Sequence, residues 1–269
     1  MKQAIFDTIH RYAGRSRAAV WFANKLKNQA NAILSASVND GIRQEHNGEL
    51  ELMKRLAPTA RVVFDVGANT GVWLTAFLRL SSNACVVHAV EPVPTTVDLL
   101  RANCAGPLSE RVVIHQCALG DVTGDACIYA QRDGGECSSF ISEHAQGHPV
   151  VVRVRRFDEL WLELGRPTVD VLKIDAEGFD LQVLRGATEA LQMGAVRVIQ
   201  FEYDAPWARA GSTLGAALDY LRGYGYQTFL LRQQGLLEFD YNFYGELFGY
   251  SNFVAIARGC EGIQPGPWQ

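Results

Sequence analysis

The sequence predicts an α/β protein with a doubly wound, mostly parallel β-sheet and an additional helical segment at its N-terminus. From residue 61 onward, short apolar runs alternate with stretches in which apolar residues recur three and four positions apart. Several of the short runs are apolar at almost every position, as expected for strands that helices cover on both faces. The 269 residues and the 48% hydrophobic content suffice for one large domain with an accessory segment.

The pattern of residues 1–57 predicts helices, the last of which, Glu49–Leu56, ends before Pro58. Within residues 1–30, one acid stands against six basic residues, which are Lys2, Arg11, Arg15, Arg17, Lys25 and Lys27. A basic amphipathic helix can lie on a membrane surface or bind an acidic partner. We interpret the segment as a cap on the main domain or a contact in a homo-oligomer, with peripheral membrane binding as the alternative.

The main domain is predicted to span residues 58–260, and residues 261–269 are expected to form a loose tail. The five strands of the predicted parallel sheet are Val62–Val66, Cys85–Val90, Val112–Cys117, Val169–Ile174 and Val196–Phe201. The helices predicted between them are Val72–Leu80, Thr95–Asn103 and Leu181–Met193. Further strands are expected at Ala126–Ala130 and Val150–Val154, and the runs 227–231 and 252–257 are expected to pair in antiparallel fashion.

Composition and charge argue against several classes of protein. A net charge of -4 and an isoelectric point of about 5.9 disfavour general nucleic-acid binding. The six cysteines form no CxxC pair, which indicates reduced thiols and neither a disulfide framework nor a zinc site. No apolar run reaches the ~18 residues that span a bilayer, and no signal-peptide core is recognisable. We therefore expect a cytoplasmic protein without a transmembrane segment.

Acidic residues stand where four of the predicted strands end. They are Asp65, Glu91, Asp175 and Glu202. In a doubly wound sheet, ligands bind beyond the carboxyl ends of the strands, near the point where the strand order reverses. The sequence thus predicts an acidic binding edge. Such an edge disfavours a phosphate-bearing ligand, which is usually held by backbone N–H groups without acids around them.

The segment VVFDVGANTG, residues 62–71, predicts a strand followed by a ligand-binding turn. The segment has Gly67 and Gly71 but lacks the middle glycine of the dinucleotide fingerprint. Val72 stands where a phosphate-binding loop has its lysine. S-adenosylmethionine carries a sulfonium, an ammonium and a ribose diol but no phosphate, so it suits the acidic edge. Glu91 can accept hydrogen bonds from both ribose hydroxyls. Nicotinamide enzymes use the same device, so a nicotinamide-dependent oxidoreductase remains an alternative, as does a non-catalytic binding module with a cofactor fold.

Five motifs follow one another in a specific order: FDVGANTG, AVEPVP, ALGD, VDVLKIDAEGFDLQVLRGA and SNFVAIA. In these motifs the chain resembles the FkbM-type methyltransferases, over roughly residues 47–257. The resemblance implies a class I methyltransferase fold, which is Rossmann-like, with a seven-stranded sheet whose last strand is antiparallel. It also implies S-adenosylmethionine-dependent O-methylation, often of a sugar hydroxyl in a glycan, a glycolipid or an antibiotic.

The resemblance implies roles for individual residues of the cofactor site. The methionine portion is expected among Asp65, Gly67, Asn69 and Gly71, and the ribose at Glu91. The adenine is expected beside Ala118, Leu119 and Asp121. Glu49 is expected to reach the methionine end. The first 46 residues lie outside the resemblance.

Methyl transfer to a hydroxyl needs alignment of acceptor, methyl group and sulfur, and usually a base or a metal ion. Asp175, which shares a strand face with Lys173, is our first candidate beside the methyl group and the acceptor, and we also assign it to the cofactor site. Glu177 and Glu202 are further catalytic candidates. Lys173 is expected mainly to neutralise these acids as an ion pair. We assign no metal, although Asp175, Glu177 and Glu202 offer oxygen ligands for a divalent ion.

The acceptor site is predicted less directly. The segment 239–253 is rich in aromatic residues, which can stack on a sugar ring or serve ordinary core and loop packing. Tyr203 is expected to face the acceptor side, and Trp207 can also line the pocket. A loop at 133–148, which contains His144 and His148, can close over the site. With the O-methylation that the resemblance implies, often of a sugar hydroxyl, we predict an O-methyltransferase that acts on a hydroxyl of a sugar-containing small molecule or glycan precursor.

Three neighbouring arginines, Arg153, Arg155 and Arg156, allow two interpretations. They can bind an anionic acceptor, or they can charge an exposed strand edge and so prevent aggregation.

Overall fold

The computed structural model describes residues 10–130, 148–260, 263 and 265–268, and all structural statements concern these residues. The chain divides into two compact units, Met1–Val38 and Asn39–Gln269. In the first unit, residues 10–15 are helical and α1 covers Arg17–Val38. The helix α2, Glu49–Leu56, belongs to the second unit, whereas the sequence grouped it with the N-terminal segment. His144, most of the predicted loop 133–148 and part of the predicted tail lie outside the described residues.

The strands that the structure describes all lie in the second unit. They are β1 (Val62–Val66), β2 (Val86–Val90), β3 (Val112–His115), β4 (Ala118–Leu119), β5 (Gly124–Ala130), β6 (His148–Arg155), β7 (Val169–Ile174), β8 (Val196–Tyr203), β9 (Tyr226–Arg232), β10 (Gly235–Leu237), β11 (Ser251–Ala257) and β12 (Gly266–Pro267). Its helices after α2 are α3 (Val72–Leu80), α4 (Pro94–Asn103), α5 (Phe157–Glu163), α6 (Asp180–Gly186), α7 (Thr188–Gln192), α8 (Pro206–Arg209), α9 (Leu214–Gly223) and α10 (Tyr241–Tyr244). None of the helices described is long and apolar enough to cross a membrane.

The main sheet has the order β12-β10-β9-β11-β8-β7-β1-β2-β3. The strands β3, β2, β1, β7 and β8 run parallel. The strand β11 is antiparallel to both of its neighbours, β8 and β9. The seven strands from β3 to β9 therefore confirm the predicted doubly wound sheet with a reversed last strand, and β10 and β12 extend its edge. A second, smaller sheet has the order β4-β6-β5.

Helices cover both faces of β1, which explains why its sequence shows no polar alternation. Val63 is fully buried in one core cluster with Leu74 and Phe77 of α3. The next residue, Phe64, lies on the opposite face, where its ring centroid is 4.9 Å from that of Phe157 in α5. Successive strand residues point to opposite faces, so a strand between two helical layers has to be apolar throughout.

One helix that the sequence predicts as continuous is interrupted in the structure. The sequence predicts a single helix at Leu181–Met193, but the structure has two, α6 and α7, that are separated at Ala187. At Gly186 a Cβ atom would overlap the carbonyl oxygen of Gly120. The chain bends where α6 ends against this backbone segment, and only the tertiary contact reveals the reason.

Candidate active site

A cavity of about 690 Å³ opens at the carboxyl ends of β1, β2, β7 and β8. It lies where the strand order reverses, because the chain passes from β1 through α3 to β2 on one side and β7 flanks β1 on the other. The lining comes from the turn after β1, from the ends of β2, β7 and β8, and from the small sheet. The sequence predicted the binding site at this edge.

The turn after β1 is tied to both neighbouring strands. The backbone N–H groups of Gly67 and Ala68 donate to the carbonyl oxygen of Val90 at 3.0 and 3.1 Å. Gly67 has φ 77°, and a Cβ atom there would overlap the carbonyl oxygen of Asp175. Asn69 also has a positive φ, 48°. The glycine is thus required by a close backbone approach at the floor of the cavity.

Glu91 follows β2 and presents its carboxylate to the cavity. One carboxylate oxygen accepts from the N–H of Asn69 at 3.0 Å, and the other accepts from the N–H of Val93 at 2.9 Å. The side chain is buried, and burial raises the pKa of Glu91 to about 7. Each carboxylate oxygen has more than one acceptor position, so Glu91 can still accept hydrogen bonds from a ligand diol.

Lys173 of β7 is a buried cation among carboxylates. Its Nζ lies 3.0 Å from Oδ2 of Asp175 and 3.6 Å from Oδ1 of Asp65. Burial alone lowers the pKa of Lys173, but the carboxylates of Asp175, Asp65 and Glu49 outweigh it and hold that pKa above its ordinary value. Lys173 therefore stays charged, and it forms the ion pair that the sequence predicted.

Asp65 at the end of β1 is fully buried. Within the described part of the chain, neither carboxylate oxygen of Asp65 has a hydrogen-bond partner. Burial raises its pKa to about 6, although the charge of Lys173 opposes the shift. Asp65 thus sits beneath the cavity and acts on it through Lys173.

Glu49 enters the cavity from α2. Its carboxylate accepts hydrogen bonds from Nδ2 of Asn47 at 2.9 Å and from Nε2 of Gln200 in β8. Oδ1 of Asn47 in turn accepts from the Glu49 N–H at 3.0 Å. These contacts orient one more carboxylate towards the cavity, beside Lys173.

A group of carboxyl side chains surrounds the end of β8. Burial, reinforced by the charge of Asp175, raises the pKa values of three of them. The pKa of Asp204 rises to about 6 and that of Asp180 to about 8, and the pKa of Glu202 is raised as well. Glu202 and Asp204 line the cavity, whereas Asp180 is buried at the start of α6. The indole N–H of Trp207 donates to the backbone oxygen of Glu202 at 2.9 Å. These acids are poised to hold or accept protons near neutral pH.

Another part of the lining is apolar. Ala118 and Leu119 of β4 and Ile128 of β5 are buried residues of the cavity wall. Cys117 lies beside them, and burial raises the pKa of its thiol to about 11. This wall can hold a flat, weakly polar ring.

The structure brings most of the predicted site residues together. Those that line the cavity are Glu49, Gly67, Asn69, Glu91, Ala118, Leu119, Lys173, Asp175, Glu177 and Glu202. Three predicted cofactor residues lie outside the lining: Asp65, Gly71 and Asp121. Asp65 is covered, Asp121 is exposed, and Gly71 packs against Leu100, whose Cδ1 lies 2.6 Å from where a Cβ would be.

Several predicted acceptor-site residues have other roles. Tyr203 is buried, and its hydroxyl donates to Glu246 at 2.7 Å, so it points away from Glu202, its neighbour in the strand. Trp207 is also buried, behind Glu202. Of the aromatic segment 239–253, Tyr250 lines the cavity. His148 is an exposed residue of β6.

The three arginines are paired with acids outside the cavity. Arg153 contacts Asp125, Arg155 contacts Glu159 and Glu163, and Arg156 contacts Asp158. In the pair of Arg153 with Asp125, both side chains are more than half exposed. In the pair of Arg155 with Glu163, the glutamate side chain is more than half exposed. These contacts agree with a charged surface and not with an anion site.

Some lining residues were missed by the sequence analysis. Asp204 was overlooked, although it extends the acidic pattern at the end of β8, and Trp73 was predicted only as a residue of the helix Val72–Leu80. Gln200, a polar residue in an otherwise apolar strand, was a signal for the contact with Glu49. Within the described residues, no group of His, Cys, Asp and Glu side chains is arranged to hold a metal ion.

The strand order, with β11 reversed between β8 and β9, and the cavity at the switch point define a class I methyltransferase fold. Residues 65–228 match the family model described as the methyltransferase FkbM domain. This match covers more than half of the chain, so the chain belongs to the FkbM methyltransferase family. Family membership favours methyl transfer over the hydride transfer of the nicotinamide alternative.

Characterised relatives are similar at moderate identity. The 31-O-demethyl-FK506 methyltransferase FkbM of Streptomyces tacrolimicus is 28% identical over 196 residues, which are 61% of this chain and 72% of the relative. The 2-O-methyltransferase NoeI of Sinorhizobium fredii is 27% identical and covers 65% of this chain and 76% of its own. The hexuronic acid methyltransferase AglP of Haloferax volcanii is 30% identical over 54% of this chain and 59% of its own.

Among solved structures, the methyltransferase FkbM from Methylobacillus flagellatus has a TM-score of 0.46 and 18% identity, with 72% of this chain and 43% of that chain covered. The O-methyltransferase TomG from Streptomyces achromogenes, solved in complex with S-adenosylmethionine, has a TM-score of 0.44 and 14% identity, with 82% of both chains covered. At these values the fold assignment rests on the strand order and the family match.

Proposed function

We propose that this protein is an S-adenosylmethionine-dependent O-methyltransferase whose acceptor is a hydroxyl of a sugar-containing small molecule or glycan precursor. The observation that carries the proposal is the charge of the cavity. Six carboxyl side chains line it, namely Glu49, Glu91, Asp175, Glu177, Glu202 and Asp204, against Lys173 and Arg43. A sulfonium and an ammonium are attracted by this environment, whereas a pyrophosphate would be repelled.

The polar atoms of the cavity fit this cofactor. Among the described residues, Oδ1 of Asn69 and the indole N–H of Trp73 are buried in the lining without a hydrogen-bond partner. We assign the methionine end to these groups and to Glu49, and the ribose diol to Glu91. The apolar wall at Ala118 and Leu119 suits the adenine ring.

The cofactor supplies an electrophilic methyl carbon, whose bond to sulfur breaks as the acceptor oxygen attacks. The protein has to align the three atoms and receive the hydroxyl proton. Asp204, with its pKa raised to about 6, is ionised at neutral pH and more basic than an exposed aspartate, so we propose it as a base. Asp175, Glu177 and Glu202 line the same part of the cavity and would bind the acceptor hydroxyls. Lys173 is a positioning residue that holds Asp175.

The choice of a hydroxyl acceptor is supported by the family. Two of the similar methyltransferases are named for O-methylation, and a third is named for a hexuronic acid. Carboxylates are strong acceptors for sugar hydroxyls, and Tyr250 offers a ring for stacking. A cytoplasmic location is part of the same proposal.

Calorimetry with S-adenosylmethionine, S-adenosylhomocysteine and NAD tests the cofactor. We expect micromolar binding of the first two compounds, loss of at least about tenfold in affinity in Glu91→Ala, and no binding of NAD. The control is Asp219→Ala, which removes an exposed acid of α9 that pairs with Arg222. Binding of NAD alone would contradict the proposal.

Transfer of a labelled methyl group to a panel of sugar-containing acceptors tests the reaction. Asp204→Asn keeps the shape of the side chain and is expected to lower kcat by about 100-fold or more. In the wild type the rate should rise with pH through about 6, the pKa of Asp204, and this step should vanish in the variant. Cofactor binding without transfer to any hydroxyl would favour a non-catalytic binding module.

A further inference from the structure

The helix α1 carries a charge that differs from the rest of the chain. Residues 10–38 contain no Asp or Glu, and their basic residues are Arg11, Arg15, Arg17, Lys25 and Lys27. The whole chain, by contrast, has 25 basic residues against 29 acidic ones. A positively charged segment is thus attached to an acidic protein.

One face of α1 is apolar and exposed. Phe22, Leu26 and Ile33 are separated by four and seven residues, so they lie on one face of the helix. Their exposed fractions are 59%, 57% and 71%. Ala19 and Ala30 lie on the same face and complete a stripe, which we call the α1 apolar stripe. Side chains of this size rarely form an exposed stripe without a binding role.

The rest of the helix is arranged around this stripe. Lys25 and Lys27 lie to either side of it, each about 100° away around the helix axis. The Lys25 ammonium also lies 5.6 Å from the ring centroid of Trp21. The opposite face carries the polar residues Asn24, Asn28, Asn31 and Ser35 together with Arg17, and the exposed Trp21 lies at its edge beside Lys25. Lysines at the borders of an apolar stripe can extend their ammonium groups away from it.

We propose that α1 binds the surface of an anionic membrane, with the α1 apolar stripe among the acyl chains and the lysines at the lipid phosphates. An interfacial helix needs an apolar face, cationic borders and a polar back, and α1 has all three. A second copy of the helix is disfavoured as the occupant, because the three cations of one copy, Arg17, Lys25 and Lys27, would face those of the other with no acid between them. The inference does not depend on the proposed methyl transfer.

Sedimentation of the full chain with phospholipid vesicles tests this inference. We expect binding to vesicles of phosphatidylcholine mixed with phosphatidylglycerol, and weak or no binding to phosphatidylcholine alone. Binding should weaken as salt rises from 0.1 to 1 M, because the Debye length falls from ~10 to ~3 Å. Each of Lys25→Gln and Lys27→Gln should lower the partition coefficient by roughly fivefold.

Two charge-matched variants separate burial of the stripe from simple attraction. Leu26→Glu and Asn28→Glu change the net charge equally, but only the first places a carboxylate in the stripe. Leu26→Glu should weaken binding at least about tenfold more than Asn28→Glu, with unchanged thermal unfolding of the main domain. Equal effects, or no preference for anionic vesicles, would overturn the proposal. Self-association that Leu26→Glu abolishes, without vesicle binding, would assign the stripe to a second copy instead.

Discussion

At the scale of single residues, the buried ion pairs around Lys173 are the centre of the site. The ammonium of Lys173 lies between two carboxylates, of which Asp65 is fully buried and Asp175 is 35% exposed at the cavity. Breaking a buried ion pair costs more than the pair contributes, because the partner is left as an unpaired charge. Lys173 therefore stabilises the fold mainly because its charge offsets the free-energy cost of burying the ionised Asp65 side chain.

We expect Lys173→Met to lower the free energy of unfolding by about 3–5 kcal/mol. Without the lysine, Asp65 folds only in its protonated form, and protonation becomes harder to reach as the pH rises. The loss should therefore be larger at pH 8 than at pH 5, as measured by urea unfolding. Lys54→Met is the control, since its exposed pair with Glu51 is worth less than ~1 kcal/mol. A loss that is small, or equal at both pH values, would contradict this account.

At the scale of secondary-structure elements, the turn from β1 to α3 depends on backbone contact. Gly67→Ala would force a Cβ atom onto the carbonyl of Asp175 at a positive φ. We expect destabilisation of about 3 kcal/mol from strain and overpacking, together with loss of cofactor affinity. Gly223→Ala is the matched control, because no atom lies within 4 Å of the added Cβ, and chemical unfolding should show it to be neutral or stabilising.

The start of α9 is held by one carboxylate. Glu246 accepts from the N–H groups of Leu214 and Gly215 at 3.0 and 2.9 Å, and from the hydroxyls of Tyr203 and Tyr241, both at 2.7 Å. Burial opposes ionisation, but these donors outweigh it and lower the pKa of Glu246. The aromatic segment around it is thus anchored to α9, which is a structural role for residues that were predicted to bind the acceptor.

Glu246→Gln should cost about 2–4 kcal/mol, because the amide turns a donor towards groups that are themselves donors. Tyr241→Phe removes one of the four hydrogen bonds and should cost about 1 kcal/mol. Hydrogen exchange at the amides of Leu214 and Gly215 should accelerate in the glutamine variant and change little in the phenylalanine variant. Unchanged hydrogen exchange in both variants would show that Glu246 does not anchor the start of α9.

At the scale of the whole molecule, the raised pKa values link ligand binding to pH. Burial raises the pKa of Glu91 to about 7 and of Asp204 to about 6. A cationic ligand favours the ionised carboxylates and lowers these pKa values, so binding near pH 7 should release protons. The affinity for S-adenosylmethionine should then rise from pH 6 to pH 8, by up to about tenfold per pH unit for each proton released.

Calorimetry in buffers of different ionisation enthalpy measures this proton release directly. Glu91→Gln removes one of the groups that titrate in this range and should reduce the number of protons released. Binding that takes up protons, or an affinity that falls as the pH rises, would show that the bound ligand does not stabilise the ionised form of these acids.

The main sheet was predictable because its strands need apolar residues on both faces. The five parallel strands lie within two residues of their predicted bounds, and the reversed strand occurs where the resemblance placed it. The break between α6 and α7 was not predictable, since it depends on the approach of Gly186 to Gly120, 66 positions apart in the sequence.

The sequence by itself determined the fold, the family and the acidic edge, because strand patterns and strand-end carboxylates are local features of the chain. Only the tertiary structure decided which acids reach the cavity. Asp65 lies beneath Lys173, and Glu49 enters from α2 through its contact with Gln200, 151 positions away. Such roles depend on which side chains become neighbours and lose water on folding, and both are properties of the packed molecule.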